Sequence, residues 1–84
     1  MEKYNYKKFA KFLINNEDVV IKITYDKLEE ILGKKLPKSA YIHSAYFSNS
    51  KSHPISKVWV ELGYKKIELK IGEYIVIKKN NYNI

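Results

Sequence analysis

Residues 23–47 read ITYDKLEEILGKKLPKSAYIHSAYF, and the first part of this stretch contains both the start and the end of a helix. The hydroxyl of Thr24 can cap a helix that follows it, because a threonine oxygen accepts a hydrogen bond from a backbone amide in the first helical turn. Gly33 supplies the stop, since glycine readily adopts the left-handed conformation that ends helices. The sequence therefore predicts a helix over Tyr25–Leu32 with one apolar face.

The second part of the stretch predicts a turn and a further helix. Pro37 places a turn after the first helix, because the residue before a proline is excluded from the helical region. Ser39 can then cap a helix of about two turns over Ala40–Phe47. The tyrosine, isoleucine and phenylalanine of that segment are also strand formers, so its periodicity leaves a strand open. The serine-rich segment 48–52 predicts a loop.

The rest of the chain alternates apolar and polar residues with the periods of helices and strands. Four further elements are predicted: a helix over 6–14, a strand over 19–24, a helix that begins at Pro54 with Ser52 or His53 as its cap, and a hairpin of strands 66–71 and 74–78. Gly72-Glu73 suits a two-residue type II′ turn, which would pair Leu69 with Val76 and bury the last strand most deeply. The predicted fold class is α+β and winged-helix-like, a single basic domain over 1–79 with a small antiparallel sheet and a frayed tail over 80–84.

Positive charge is distributed unevenly along the chain. The 84 residues have a net charge of +7, with no arginine and no cysteine. Residues 1–33 hold six lysines and six carboxylate side chains, whereas residues 34–84 hold ten lysines and three carboxylates. A field of one sign attracts polyanions. A genome rich in A and T codons would also favour lysine, asparagine, isoleucine and tyrosine, so a functional and a compositional origin of the excess both stay open.

The two histidines do not predict a catalytic or metal site. Between Leu32 and Glu61 the chain has no carboxylate to orient the imidazole of His43 or His53. Two histidines without any cysteine also match no structural zinc pattern. We therefore expect no enzymatic activity and no cofactor. The chain shows no signal peptide and no apolar run of membrane-spanning length, so we expect a soluble cytoplasmic protein.

The order helix, strand, helix, helix, strand, strand resembles that of winged helix-turn-helix domains. Residues 23–47 look like the helix-turn-helix core, and VWVELGYKKIEL at 58–69 resembles the passage from the last helix into the wing hairpin. The wing itself is short, with Glu73 at its tip, which implies that it does not contact phosphate. The resemblance implies a recognition helix, the element that enters the major groove, formed by Lys38, Ser39, Tyr41, Ile42 and His43.

A longer pattern covers about residues 19–79. It comprises LEEILG at 28–33, LPKSA at 36–40, His43, the pair Tyr46-Phe47, Asn49, SHP at 52–54, Trp59 and Gly63-Tyr64. This pattern resembles a family of small bacterial and phage proteins that is classed as a domain of unknown function. The family has two tryptophans where this chain has the aromatic pair. The resemblance implies a shared fold more than any activity.

Two functions of different class are compatible with these observations. In the first, the domain binds nucleic acid, duplex DNA above all, in a regulatory or accessory role in a bacterium or phage. Its phosphate contacts would be Lys34, Lys35, Lys38 and Lys51, and its base contacts would be Ser39, Tyr41 and His43. In the second, a phage or mobile-element module binds or inhibits a host protein complex without contacting nucleic acid, because tyrosine is a favoured anchor of protein interfaces.

Overall fold

The computed structural model describes residues 4–49 and 53–79. They form three α-helices, two short 3₁₀ helices and a three-stranded antiparallel sheet. In chain order the elements are α1 (Tyr6–Ile14), β1 (Val20–Thr24), α2 (Tyr25–Leu32), the 3₁₀ helices η1 (Lys38–Tyr41) and η2 (Ser44–Phe47), α3 (Pro54–Glu61), β2 (Tyr64–Lys70) and β3 (Tyr74–Lys79). The predicted α+β class and order of elements are confirmed. Lys51 and the predicted tail over 80–84 lie outside the described residues.

Helices α1 and α2 begin at side chains that cap them. The Lys8 amide donates to Asn5 Oδ1 at 2.9 Å, and the Lys27 amide donates to Thr24 Oγ1 at 3.1 Å. Gly33 follows α2 with a φ of 78°, the left-handed conformation that ends the helix. The predicted bounds of α2 are therefore confirmed. Because Thr24 is both the last residue of β1 and the cap of α2, the strand passes into the helix without a linker.

The central strand of the sheet is β3, since the strand order is β1-β3-β2. Ile75 and Ile77 of β3 point toward the helices and are fully buried. They pair with Ile23 and Ile21 of β1, which are buried on the same face. The prediction that the last strand is the most deeply buried is confirmed, because β3 has a neighbouring strand on both sides.

The predicted two-residue turn between β2 and β3 is wrong. Three residues, Ile71–Glu73, connect the strands. Gly72 has a φ of 81°, which a type II turn requires at its third position. The register of the hairpin therefore shifts by one residue, and Leu69 pairs with Ile75 instead of Val76.

The predicted α-helix over Ala40–Phe47 is also wrong. The segment forms η1 and η2, which are separated by extended backbone at His43 (φ −111°, ψ 120°). One physical reason lies in α2: the Tyr25 hydroxyl donates to the Ala40 carbonyl at 2.8 Å. This long-range contact holds the Ala40 backbone against α2 and competes with the hydrogen bond that an α-helix would form between this carbonyl and the amide four residues on. Ser39 lies inside η1 rather than before it, so its predicted capping role is wrong.

Trp59 of α3 lies at the centre of the core, which fills the space between the helices and one face of the sheet. Its ring stacks on Phe47 with the centroids 6.2 Å apart, and Phe9 meets it edge-on at 6.5 Å. All three rings are fully buried. Ile14, the last residue of α1, and Leu62, which directly follows α3, are exposed although they are apolar.

Candidate nucleic-acid interface

Lys34 and Lys35 lie in the loop between α2 and η1, and hydrogen bonds fix the path of this loop. The Tyr4 hydroxyl donates to the Lys35 carbonyl at 2.9 Å, and the Leu36 amide donates to the Glu29 carboxylate at 2.9 Å. The Lys34 ammonium lies 5.1 Å from the centre of the Tyr4 ring, within the range of a cation–π contact. These contacts place both predicted lysines beside the start of α1.

Three exposed lysines of α1 continue this surface. Two shallow grooves of about 260 Å³ and 230 Å³ lie along α1, and both are lined by Lys8 and Lys11. The larger groove reaches α2, where Phe12 and Ile31 form its apolar part. Five ammonium groups thus lie along α1 and the loop beside its start. We call them the helical lysine surface, which comprises Lys7, Lys8, Lys11, Lys34 and Lys35.

The charges of residues 1–33 sum to zero, so the sum did not indicate that the lysines of α1 belong to a basic surface. Two carboxylates of that segment have described positions relative to the loop and the grooves. Glu29 points into the loop, where the Leu36 amide binds it, and Glu30 is the one carboxylate that lines the grooves. Lysines that recur along α1 away from its apolar face are the sequence signal that identifies this surface.

Tyr41 does not belong to this basic surface, because its side chain contacts Glu29 and Tyr25 instead. Its hydroxyl donates to the Glu29 carboxylate at 2.5 Å, and its ring lies 5.0 Å from that of Tyr25. The hydrogen bond to Glu29, followed by burial and the negative charges of Glu29 and Asp26, raises the pKa of Tyr41 to about 12. A phosphate at this hydroxyl would approach two carboxylates.

The other predicted contacts do not share one helix face. Lys38 and Ser39 are exposed in η1, and His43 is exposed in the extended backbone before η2. The His43 amide donates to the Ser39 carbonyl at 2.8 Å, which closes the turn. Because η1 and η2 are single turns with a break between them, they do not align these side chains as a continuous recognition helix would. Lys51 lies outside the described residues.

A second basic surface lies on the side of the sheet that faces away from the helices, and we call it the outer sheet face. Paired residues of an antiparallel sheet point to the same side, so the register assigns residues from all three strands to this face. One carboxylate, that of Glu68, lies among four exposed lysines. These lysines are Lys22 of β1, Lys65 and Lys70 of β2, and Lys78 of β3.

Tyr74 and Val76 represent the central strand β3 on the outer sheet face, and Tyr74 is the first residue of that strand, next to the turn. Val76 is only 8% exposed although it points away from the core, because its neighbours on this face cover it. The Lys22 ammonium lies 4.2 Å from the centre of the Tyr74 ring. The Tyr74 hydroxyl donates to the Glu68 carboxylate at 2.8 Å, and this hydrogen bond raises the pKa of Tyr74.

Residues 4–49 and 53–79 contain no group of three or more histidine, aspartate or glutamate side chains that could hold a metal ion. In the same part of the chain, no helix combines the length and the apolarity that a membrane crossing requires.

His53 occupies the N-cap position of α3 as predicted, but its ring makes no capping hydrogen bond. It lies 6.2 Å from the ring of Tyr46 instead.

Asn49 joins three parts of the fold through its side-chain amide. Its Oδ1 accepts hydrogen bonds from the Lys66 amide at 2.7 Å and from the Trp59 indole at 3.3 Å. Its Nδ2 donates to the Lys66 carbonyl at 3.2 Å. The segment after η2 is thereby tied to α3 and to β2, next to the bulge that interrupts the β2–β3 register.

A family model described as a domain of unknown function, DUF7662, matches residues 6–81. The chain belongs to the DUF7662 family. No curated protein and no solved structure matches it significantly. In this DUF7662 domain, Glu29 binds the loop after α2, Asn49 binds the bulge of β2, and Trp59 fills the core. Their contacts hold the fold together, and the exposed lysines are left as the candidates for binding.

Proposed function

We propose that this domain binds nucleic acid, duplex DNA above all, through the helical lysine surface. The observation that carries the proposal is that the loop with Lys34 and Lys35 is held against Tyr4, at the start of the helix that bears Lys7, Lys8 and Lys11. Lysine presents a point charge rather than the planar fork with which arginine reads guanine. The contacts are therefore made to phosphate, with little discrimination between base sequences.

The geometry of α1 suits a row of phosphate contacts. Lys7 and Lys11 are one helical turn apart, about 6 Å along the axis. Glu30 is the single carboxylate in the grooves, and its ion pair with Lys27 is long (4.0 Å) and solvent-exposed. A pair of this kind contributes little energy. The charges of Lys27 and Glu30 offset each other, and Lys8 and Lys11 leave the lining of the groove with a net positive charge.

The other predicted contacts extend this surface at its margin. Lys38 follows the loop, and the exposed Ser39 and His43 lie beyond it, where they approach the DNA backbone or a base edge. Tyr41 is not included, because its hydroxyl is engaged by Glu29. The helix that precedes the hairpin, α3, exposes one charged residue of each sign, Lys57 and Glu61. The proposal therefore relies on α1 and the loop, and it suits a regulatory or accessory role in a bacterium or phage.

The test is a salt series of binding to a labelled random duplex, followed by fluorescence anisotropy. If three to five phosphates are contacted, affinity falls by about 40- to 500-fold between 50 and 200 mM salt. The variant K7A/K11A/K34A/K35A should reduce the slope of log K against log[salt] by up to about 3.6. Lys11→Ala and Lys57→Ala form a matched pair, because each removes one exposed lysine from a helix. The proposal is wrong if the wild type does not bind at low salt, or if these two variants weaken binding equally.

A second candidate function, the binding of a host protein, is favoured by an apolar cluster at the hairpin turn. Tyr41, Ile42 and Ile71 are 38%, 55% and 40% exposed, and Tyr41 lies against Gly72 of the turn. Exposed apolar clusters are typical of protein interfaces. The expected result is one stoichiometric protein that co-purifies after nuclease treatment and is lost with Ile42→Asp. Retention of that protein by the variant would reject this candidate.

A further inference from the structure

The outer sheet face combines lysines with aromatic and aliphatic side chains. Such a surface suits an extended polyanion whose aromatic rings are not stacked on one another. Its lysines come from all three strands and flank Tyr74 and Val76 of the central strand β3. Two further apolar side chains adjoin them: Val20 of β1 and Ile67 at the bulge of β2, each about half exposed. Glu68 is hydrogen-bonded to the Tyr74 hydroxyl, and Glu73 of the turn lies 3.6 Å from the Lys70 ammonium at the same end of the face.

We propose that the outer sheet face binds single-stranded nucleic acid. Bases of an unpaired strand expose their flat faces, which pack on aromatic and aliphatic side chains, while their phosphates meet lysines. A duplex keeps its base faces stacked inside and could use only the lysines. The aromatic and aliphatic centre of this face therefore favours a single strand over a duplex.

Tyr74 is the residue on which a base would stack. The Lys22 ammonium already lies over its ring at 4.2 Å, which shows that the ring face is accessible to a group outside the core. A stacked base replaces this ammonium, and Lys22 then pairs with the phosphate of the same nucleotide. Four-stranded sheets that bind RNA stack two or three bases, so three strands offer room for about two.

The strand register also explains how the lysines would follow the backbone of the bound strand. Lys65 pairs with Lys78 near one end of the hairpin, and Lys70 pairs with Tyr74 at the other. Between the two ends lie Val76, its pair partner Glu68, and Ile67 at the bulge. A strand that runs along the hairpin thus meets ammonium groups at both ends, and apolar side chains beside one carboxylate in the middle.

The two basic surfaces belong to different sides of the molecule. The helical lysine surface lies on α1 and the loop after α2, whereas the outer sheet face is turned away from the helices. This inference is independent of the duplex contact proposed above, since it concerns other residues. If both surfaces are used, one domain can hold a duplex and an unpaired strand at the same time.

The test measures binding of the full chain to a labelled single-stranded 12-mer and to a labelled duplex, with polyglutamate of the same length as a competitor. Tyr74→Leu removes the ring, and Tyr74→Phe keeps it while removing the hydrogen bond to Glu68. We expect Tyr74→Leu to weaken single-strand binding by about 5- to 150-fold. Tyr74→Phe and duplex binding by Tyr74→Leu should each stay within threefold of the wild type. The variant K65A/K78A should reduce the single-strand salt slope by about 1.4.

Circular dichroism checks that each variant is folded, and if Tyr74→Leu unfolds, K65A/K78A and Tyr74→Phe carry the test. The inference is overturned if the wild type does not bind the single strand at low salt, even when it binds the duplex. It is also overturned if a folded Tyr74→Leu variant binds the single strand as well as the wild type does, or if it loses duplex and single-strand binding equally. Competition by polyglutamate as strong as that by the unlabelled 12-mer would show a general anion surface and would likewise reject it. Loss of duplex binding alone would reject the function proposed for the helical lysine surface and leave this inference standing.

Discussion

Replacement of Asn49 by alanine should destabilise the domain more than the loss of a single hydrogen bond at its surface would. The amide of Asn49 makes three hydrogen bonds, two with the backbone of Lys66 and one with the indole of Trp59. The first two lie at the surface, where water partly replaces them, so each contributes about 0.5–1 kcal/mol. The indole N–H belongs to a fully buried ring, and loss of its partner costs about 1–2 kcal/mol. The expected loss is therefore about 2–4 kcal/mol.

This loss is a large fraction of the stability that a domain of this size has. At the usual stability per residue, 84 residues have an unfolding free energy of about 4–13 kcal/mol. A domain of 60–100 residues loses about 4–8 °C of melting temperature per kcal/mol, so Asn49→Ala should melt about 10–25 °C lower. Urea unfolding followed by tryptophan fluorescence measures the free energy directly, because Trp59 is the only tryptophan.

Two further variants separate the role of Asn49 from the general effect of removing an asparagine. Asn49→Asp keeps the acceptor for the Lys66 amide and the Trp59 indole but loses the donor, so it should lose less than Asn49→Ala. Asn16→Ala removes a half-buried side-chain amide that accepts one local hydrogen bond, from the Asp18 amide at 2.9 Å, and should lose about 0.5 kcal/mol. If Asn49→Ala loses no more stability than Asn16→Ala, the bridging role of Asn49 is wrong.

Three other changes test single features of the fold. Folding raises the pKa of Tyr41 to about 12, so the contribution of Tyr41 to stability is full below pH 10 and is lost between about pH 10 and 12. Urea unfolding at several pH values should therefore show a shallower loss of stability in that window for Tyr41→Phe than for the wild type. An unchanged pH dependence would contradict the hydrogen bond to Glu29. Ser56 is fully buried, and its hydroxyl has no hydrogen-bond partner among the described residues. Ser56→Ala should therefore leave the unfolding free energy unchanged or raise it by up to about 1 kcal/mol. A loss of more than about 1 kcal/mol, measured by urea unfolding, would reveal a partner. Gly33→Ala should lower the unfolding free energy by about 1 kcal/mol, because Gly33 has a positive φ. Gly33→Asn should lower it less, because asparagine tolerates this conformation. Equal melting temperatures for the two variants would refute this argument from the backbone conformation.

Local signals predicted the parts of the fold that local interactions determine. Thr24 and Gly33 bound α2 through contacts within a few residues, and both bounds are confirmed. The segment Ala40–Phe47 was not predictable in this way, because the Ala40 carbonyl accepts a hydrogen bond from the hydroxyl of Tyr25, which lies fifteen residues earlier in the chain. The hairpin turn differed for a related reason: with a bulge in β2, the strand pairing sets the register independently of the turn residues.

The candidate site was predictable only as a set of loop lysines. Lys34 and Lys35 are identified by their position after a helix stop, but their neighbours on α1 follow from the Tyr4 contacts, which the sequence does not show. Tyr41 was expected to be available for binding because its segment lacks carboxylates. Its carboxylate partner is Glu29, twelve residues away in the chain. A charge count along the sequence cannot find such a pair, because the turn at Pro37 brings the two side chains together.

The position of the carboxylates bears on whether the lysine excess is functional or compositional. An A- and T-rich genome would raise the number of lysines without deciding where the acids lie. In the described part of the chain, Glu29 and Glu68 accept hydrogen bonds from tyrosine hydroxyls, and both are thereby directed toward partners in the fold. Glu30 and Glu73 lie near lysines three residues away on their own segments, at 4.0 Å and 3.6 Å. Of these four acids, Glu30 lines the larger groove along α1, and Glu73 pairs with Lys70 beside Glu68 on the outer sheet face, so each surface keeps more lysines than carboxylates. This arrangement, rather than the net charge of +7, is the physical argument for an anionic partner.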